Sequence, residues 1–372
     1  MNLIILDQNF DTLGVVSVFN TLIWDRRYYA SGLFELHTPA EFFTLMNTGR
    51  YLYRNDRDDR DELGVIREVN FARDAKGART AYCKGYFSEE LLNGRVLNTQ
   101  ISLTGTPEVI GRKMVDRYVI NPTDADRKIP QVKLGELKGI GTSVTVTATG
   151  DNLGDKLYEI EKTQELSHRL RYDYLNNDLI FEVWKGKDRT DDQTENSWAI
   201  FSDSFYNVKN AVYDRDESEY KNFAYVAGEG EGSARVIVEV DLRSSADEER
   251  RELYVDARDL QSTYQDDAGN EHTYTADQYR ALLRQRGLEK LAEYQKIETV
   301  NSDVDPNANL TYGVDFDLGD LCTYRYADVG IETTKRITEI QEVYEGSKQT
   351  ISVVFGNDQM TSITKIIQRE VF

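Results

Sequence analysis

Residues 221–242 read KNFAYVAGEGEGSARVIVEVDL, two runs rich in β-branched and aromatic residues on either side of a glycine-carboxylate stretch, Gly228 to Gly232. Alternating apolar runs separated by turn residues predict paired strands. The glycines could be mistaken for a phosphate cradle. Such a cradle feeds free backbone N–H groups into a helix N-terminus, whereas here the glycines lie between strands with Glu229 and Glu231 among them, and carboxylates repel phosphate. A turn is therefore expected.

The pattern extends outward from this stretch. Upstream, LSHRLRYDYL (166–175) and DLIFEVWKG (178–186) form a predicted hairpin through Asn176 and Asn177, because asparagine tolerates positive φ. SWAIFS (197–202) and YNVKNAVYD (206–214) follow as strands. Downstream, LTYGVDF (310–316), residues 320–346 and QTISVVFG (349–356) complete this strand-rich block. A second block precedes it, with GVVSVFN, LIWDRRYY, LFELHT, RYLYRN, GVIREVN and RTAYCKG between Gly14 and Gly85. The charged run DRDDRDE, 56–62, reads as a solvated hairpin tip.

Three helices interrupt the strands. Thr106 and Pro107 supply a cap and a first-turn proline, after which Ile110, Met114, Val115 and Tyr118 share one face until Asn121 and Pro122 stop the run. A second begins near Asn152 with Leu153, Leu157 and Ile160 on one stripe. The third opens with a capping box, Thr275 and Gln278, and turns Tyr279, Leu282 and Leu283 to one side. Helices breaking up strand blocks without regular alternation predict an α+β, β-rich chain, and argue against a doubly wound nucleotide-binding sheet. No solenoid-type repeat is visible.

Composition narrows the function. The chain has 372 residues, 45 Lys plus Arg against 65 Asp plus Glu, and a formal net charge of -20. Nucleic-acid binding relies on cations that displace counterions, and an acidic chain without basic runs repels DNA. Cys83 and Cys322 are far apart and lack neighbours at metal-ligand spacing. His37, His168 and His272 likewise stand alone and read as ordinary strand or loop residues. Asp303 to Asn309 starts like a calcium loop, but Ala308 and Val314 occupy the positions where an EF-hand needs Gly and Glu. An irregular site on Asp303, Asp305, Asp315 or Asp317 is the alternative to a solvated loop. Hydrolase and NTPase motifs are absent, and no run of about 18 apolar residues reads as a membrane span. The N-terminus lacks the layout of a signal peptide, so a soluble product made in the host cytoplasm is expected.

Taken together, GKDRT (186–190), AIFSDSFYNVKN (199–210) and residues 221–242 resemble the central part of the siphophage tail-hub family, related to the N-terminal part of tail-associated lysins. Residues 319–357 look like the closing barrel segment of that family, with a Gly-Asp turn, a short strand, a Gly-Ile step, a long strand and a final strand ending Phe-Gly. LIWDRRYYASGLFELHTP (22–39) is similar to its opening. The resemblance implies two tube-like β-barrel domains with helical or α+β insertions: 1–100 as the first barrel, 101–175 as an α+β insertion, 176–245 with 301–372 as the second barrel, and 246–300 as a helical insertion. It also implies a homotrimeric ring at the distal end of a phage or prophage tail. The implied partners are a distal tail protein, a tape measure protein and tail fibre or receptor-binding proteins, with DNA passing through unbound. No catalytic, cofactor or metal residues are transferred. Relatives that carry a lysin domain extend beyond the final strand, whereas only 16 residues follow Gly356, so enzymatic activity is not expected. The alternatives are a cell-wall glycosidase or endopeptidase, suggested by the many carboxylates, and a carbohydrate-binding module, suggested by the 23 tyrosines.

Overall fold

The structure, a computed structural model, describes residues 1–356 apart from 57–61, 74, 78, 266–269 and 306–307. The first strand block forms β1 (Leu3–Leu6), β2 (Thr12–Val16), β3 (Thr21–Arg27), β4 (Leu33–Pro39), β5 (Tyr51–Arg54), β6 (Leu63–Arg73) and β7 (Arg79–Phe87). A middle segment carries α1 (Glu90–Asn93), β8 (Ile101–Gly105), α2 (Pro107–Val115), β9 (Val132–Leu134), β10 (Val144–Ala148), α3 (Leu153–Lys162), β11 (Ser167–Asp173) and β12 (Asp178–Trp184). Next come β13 (Ile200–Ser202), β14 (Val208–Asp216), β15 (Phe223–Ala227), β16 (Ile237–Asp241), β17 (Glu252–Asp256), β18 (Thr263–Gln265), β19 (Glu271–Thr273) and α4 (Ala276–Ala292). The chain then returns to the sheet through β20 (Ile297–Val304), β21 (Leu321–Tyr326), β22 (Ile331–Glu345) and β23 (Lys348–Gly356).

Both strand blocks join one 13-stranded sheet, ordered β14-β20-β23-β22-β3-β4-β7-β6-β5-β1-β2, with β21 on β22 and β13 on β21 off this path. The junction is β3, which pairs with β4 on one side and with β22 on the other, Glu339 opposite Arg27 through Glu345 opposite Thr21. Among the described residues no pairing closes either block on itself, and β2 and β14 end the path. Alternation sets the faces: Leu22 and Trp24 on β3, and Phe34 and Leu36 on β4, turn into one core with Leu3, Ile5, Leu52 and Cys83. The C-terminal strands enclose a second core built on Phe201, Phe316, Tyr324 and Phe355.

The three predicted helices form, for the predicted reasons. The Thr106 hydroxyl accepts the Val109 N–H at 3.3 Å, and Ile110, Met114, Val115 and Tyr118 are buried. Asn152 caps α3 by accepting the Asp155 N–H at 3.2 Å, and Thr275 with Gln278 makes both bonds of the capping box. Packing of α2 and α3 covers the sheet β11-β12-β9, while α4 covers β16-β15-β17. The β11–β12 hairpin turns through Asn177 at φ 54°, and the Asp173 carboxylate accepts the N–H groups of Leu175 and Asn176.

Two readings change. LTYGVDF is a turn instead of a strand: the Thr311 carbonyl accepts from both Val314 and Asp315, Gly313 takes φ 86°, and only Tyr312 and Phe316 bridge. β20 was not foreseen, because IETVNSDV carries polar residues throughout. It nevertheless lies inside the sheet between β14 and β23, with Thr299 and Val300 fully buried. Residues 223–241 pair neither with the first block nor with β20–β23; they form a separate layer with β17 under α4.

Candidate functional site: a buried ion-paired seam and two open sheet edges

Arg26 and Arg54 sit on core-facing positions of β3 and β5, in step with Leu22 and Trp24 and with Leu52. They point into the junction of the two strand blocks. Arg26 pairs with Glu62 and Asp317 and donates to the Tyr312 hydroxyl at 3.1 Å. Arg54 grips Asp56 at 2.9 Å and Glu342 of β22 at 3.2 Å, and lies over the Trp24 ring. Glu342 is fully buried and also accepts from the hydroxyls of Tyr312 at 3.0 Å and Tyr344 at 2.6 Å. A continuous chain of charge-assisted bonds thus runs from β3 through Tyr312 and Glu342 to β5.

A second cluster closes the seam. Arg189 donates to Asp320 at 2.7 Å and to the Val314 carbonyl, and Arg336 of β22 reaches the Gly319 carbonyl and Glu165. Burial works against the Arg26 charge, but Asp317 and Glu62 outweigh it and hold its pKa well above the ordinary arginine value. Burial likewise opposes the Arg54 charge, and Glu342 with Asp56 raises it. For Asp320 burial prevails over its bonds to Lys187 N–H and Arg189, and the carboxyl is pushed up. These cations and carboxylates are bonded to one another, so the seam fixes geometry. Burial also raises the Cys83 thiol to about 12 and raises Cys322, which leaves both unreactive at neutral pH.

Of the residues weighed in the sequence, Asp317 joins the seam through Arg26, and the histidines and the other carboxylates of the calcium-like stretch have partners of their own. His37 pairs with Glu35 at 2.5 Å on β4, and His272 stacks on Tyr264. His168 is buried, bonded to Glu161 at 2.7 Å and packed on Tyr158. Burial raises Glu161 against the lowering effect of His168, and raises Glu89 nearby despite its backbone bonds. The carboxylates of the calcium-like stretch disperse: Asp303 takes Asn210 and Ser352, Asp305 takes Lys209 at 2.6 Å, Asp315 takes the Thr311 N–H and Asp317 takes Arg26. Residues 306–307 of that stretch, most of the 56–62 run and everything after Gly356 lie outside the described residues. Among the described residues no group of three or more His, Cys, Asp or Glu is placed to hold a metal ion, and no helix is long and apolar enough to cross a membrane. Gly228 to Gly232 forms the expected turn, with Gly230 at φ 96° and Gly232 at φ 54°, and the Glu229 carboxylate accepts the Ser262 N–H.

Sequence reasoning missed the seam. The available signal was an arginine in phase with the apolar face of a strand, as at Trp24-Asp25-Arg26 and Leu52-Tyr53-Arg54. Equally, it did not single out the free edges. On β2, Leu13 and Val15 are exposed, and next to β14 the Tyr206 ring is 82% exposed on a residue held at φ 55°. Unpaired edges bearing exposed apolar groups are surfaces for pairing with another chain.

Comparison with known proteins gives a consistent picture. The model of the Siphovirus ReqiPepy6 Gp37-like protein family matches residues 2–357. No curated protein sequence matches. Among solved structures, prophage tail protein gp18 from Listeria monocytogenes EGD-e shares the fold with a TM-score of 0.59 at 14% identity, over 100% of this chain and 99% of that one. The 43 kDa tail protein of prophage MuSo2 from Shewanella oneidensis gives 0.58 at 12% identity, over 95% and 98% of the two chains. A tail protein from Neisseria meningitidis MC58 gives 0.56 at 11%, over 96% of each.

Proposed function

Because this chain belongs to the Siphovirus ReqiPepy6 Gp37-like protein family, a phage tail protein family, we propose that it is the structural hub at the distal end of a siphophage or prophage tail. In this reading three copies assemble into a ring that continues the tail tube. The observation that carries it is the single sheet with two strand blocks, a rigid ion-paired junction between them, and an open edge at either end. Each block around its own core is a tube-forming unit, so three chains supply six such units to the ring wall. A head-to-tail contact between the β14 edge of one copy and the β2 edge of the next covers both edges and closes by rotation.

The domain division follows the same logic. Residues 1–100 and the strands of 301–372, with β13 and β14 from 176–245, make the two tube units. Residues 101–175 are an insertion, and β15 to β17 group with the 246–300 helix as another. The ring anchors tip or receptor-binding proteins and meets a distal tail protein and the tape measure protein. With a net charge of -20, its lumen lets DNA pass without capture, and the polypeptide performs no catalysis. Mass photometry of the purified chain, followed by imaging, is expected to show trimers that form rings. A monomer that persists at high micromolar concentration, with no affinity for other tail proteins, refutes the hub.

A further inference from the structure

The layer formed by β15, β16 and β17 has two unlike faces. Ala224, Val226, Val240 and Val255 turn inward under α4, together with Tyr279, Leu282 and Leu283. By alternation, Tyr225, Glu239 and Tyr254 turn outward. Tyr225 lies directly opposite Tyr254 in the parallel pairing and opposite Glu239 in the antiparallel one. The two tyrosines are therefore held side by side at about the 4.8 Å spacing of neighbouring strands. Tyr254 is 59% exposed, and Ile237 and Leu242 add exposed apolar surface at one border. The Arg250 guanidinium sits over the Phe223 ring, 3.4 Å from its centroid, lies 5.4 Å from the centroid of the half-buried Tyr225 ring and donates to the Tyr225 hydroxyl, which fixes the platform and leaves Tyr254 as its open ring.

Charge decides what fits. Four carboxylates on this face, Glu239, Asp241, Glu252 and Asp256, are balanced by four arginines. Arg243 pairs with Asp241 at 2.9 Å, Arg250 with Glu252 at 2.8 Å, and both Arg235 and Arg258 with Asp256 at 2.9 and 2.6 Å. Glu239 alone has no hydrogen-bond or ion-pair partner among the described residues, and it stands beside the tyrosines. On a chain of net charge -20 this face is locally neutral. A basic peptide finds three of the four carboxylates already taken, and a phosphate finds the arginine forks occupied. What remains unmet is aromatic surface, a free acceptor and a rim of planar ion pairs.

We propose that the outer face of β15–β17 binds a neutral pyranose polysaccharide. A sugar ring stacks its C–H face on Tyr254, beside the edge of Tyr225, while a hydroxyl donates to Glu239. The proposal stands apart from the hub reading, since a monomer can carry this face equally well. It is tested on the full chain by NMR titration with the neutral oligosaccharides cellohexaose, maltohexaose and N-acetylchitohexaose, with hexagalacturonate and hexalysine as charged probes. At least one neutral oligosaccharide is expected to saturate in the millimolar range or below. Tyr254→Ala, at an exposed position, should weaken that binding roughly tenfold. Tyr254→Phe should preserve it, and Tyr206→Ala, outside the face, should leave it unchanged. The proposal is overturned if none of the three neutral sugars binds, if Tyr254→Ala binds as wild type, or if a charged probe binds in their place.

Discussion

Replacing Arg54 by methionine tests whether the seam is held by charge. The substitution keeps the aliphatic packing against Trp24 but removes the cation facing Glu342. Glu342 is then a fully buried carboxylate that has lost its cation and still accepts from the Tyr312 and Tyr344 hydroxyls. It can remain charged at a desolvation cost, or it can take up a proton. Protonating a carboxylate of ordinary pKa at pH 7 costs about 3.7 kcal/mol, which bounds the charge penalty from above. A loss of about 3 kcal/mol is therefore expected, as for other broken buried pairs. Glu342→Gln should cost less, about 1.5 kcal/mol, because Arg54 keeps Asp56. Hydrogen exchange with mass spectrometry on peptides from β5 and β22 reads this locally, without assuming that a chain with several cores unfolds in one step. A methionine penalty no larger than that of Glu342→Gln would refute the reasoning.

Two further outcomes follow from single positions. Glu89 is buried with Oε1 bonded to the Leu170 N–H and Oε2 without a hydrogen-bond partner among the described residues, and burial raises its pKa above the ordinary 4.5. A raised carboxyl favours the fold below its unfolded pKa and loses that contribution as pH rises through the folded value. Glu89→Gln should therefore be more stable than wild type at pH 7 and equal to it near pH 4, as read by thermal melts across that range. Gly85 lies in β7 where the β6 register shifts, and a Cβ there would stand 1.8 Å from the Val65 carbonyl oxygen. Gly85→Ala should open that ladder and cost more than about 3 kcal/mol, measured as lost exchange protection in β6 and β7; a shift under about 1 kcal/mol would contradict the packing.

Local chemistry was legible, and long-range chemistry was not. Thr106, Asn152 and Thr275 cap their helices as read, because a cap depends on residues three apart in sequence. The Asn177 turn and the Gly228–Gly232 turn were legible for the same reason. β20 was hidden because a strand between two others is marked by its ladder and not by its composition: Asp303 accepts from Ser352, while the buried Thr299 and Ser302 hydroxyls have no hydrogen-bond partner among the described residues. Tyr312 was misread as a strand residue because the signal that bends its chain, the Thr311 carbonyl taking two N–H groups, leaves no mark in composition. The seam joins residues nearly 300 positions apart, such as Arg54 and Glu342. Nothing in local periodicity pairs them.

The make-up of that seam bears on what the protein is for. Buried arginine-carboxylate pairs gain little over well-packed apolar groups, since desolvation offsets most of their attraction. An apolar junction would hold the two strand blocks together equally well, but it would add no preferred direction beyond the register set by the β3–β22 ladder. Arg54 shared between Asp56 and Glu342, and Tyr312 bridging Arg26 and Glu342, admit one relative placement of β5, β3 and β22. In the proposed ring each subunit would present its β2 and β14 edges at one fixed angle so that the ring closes after a whole number of copies, and a directional junction serves that geometry in a way apolar contact alone does not.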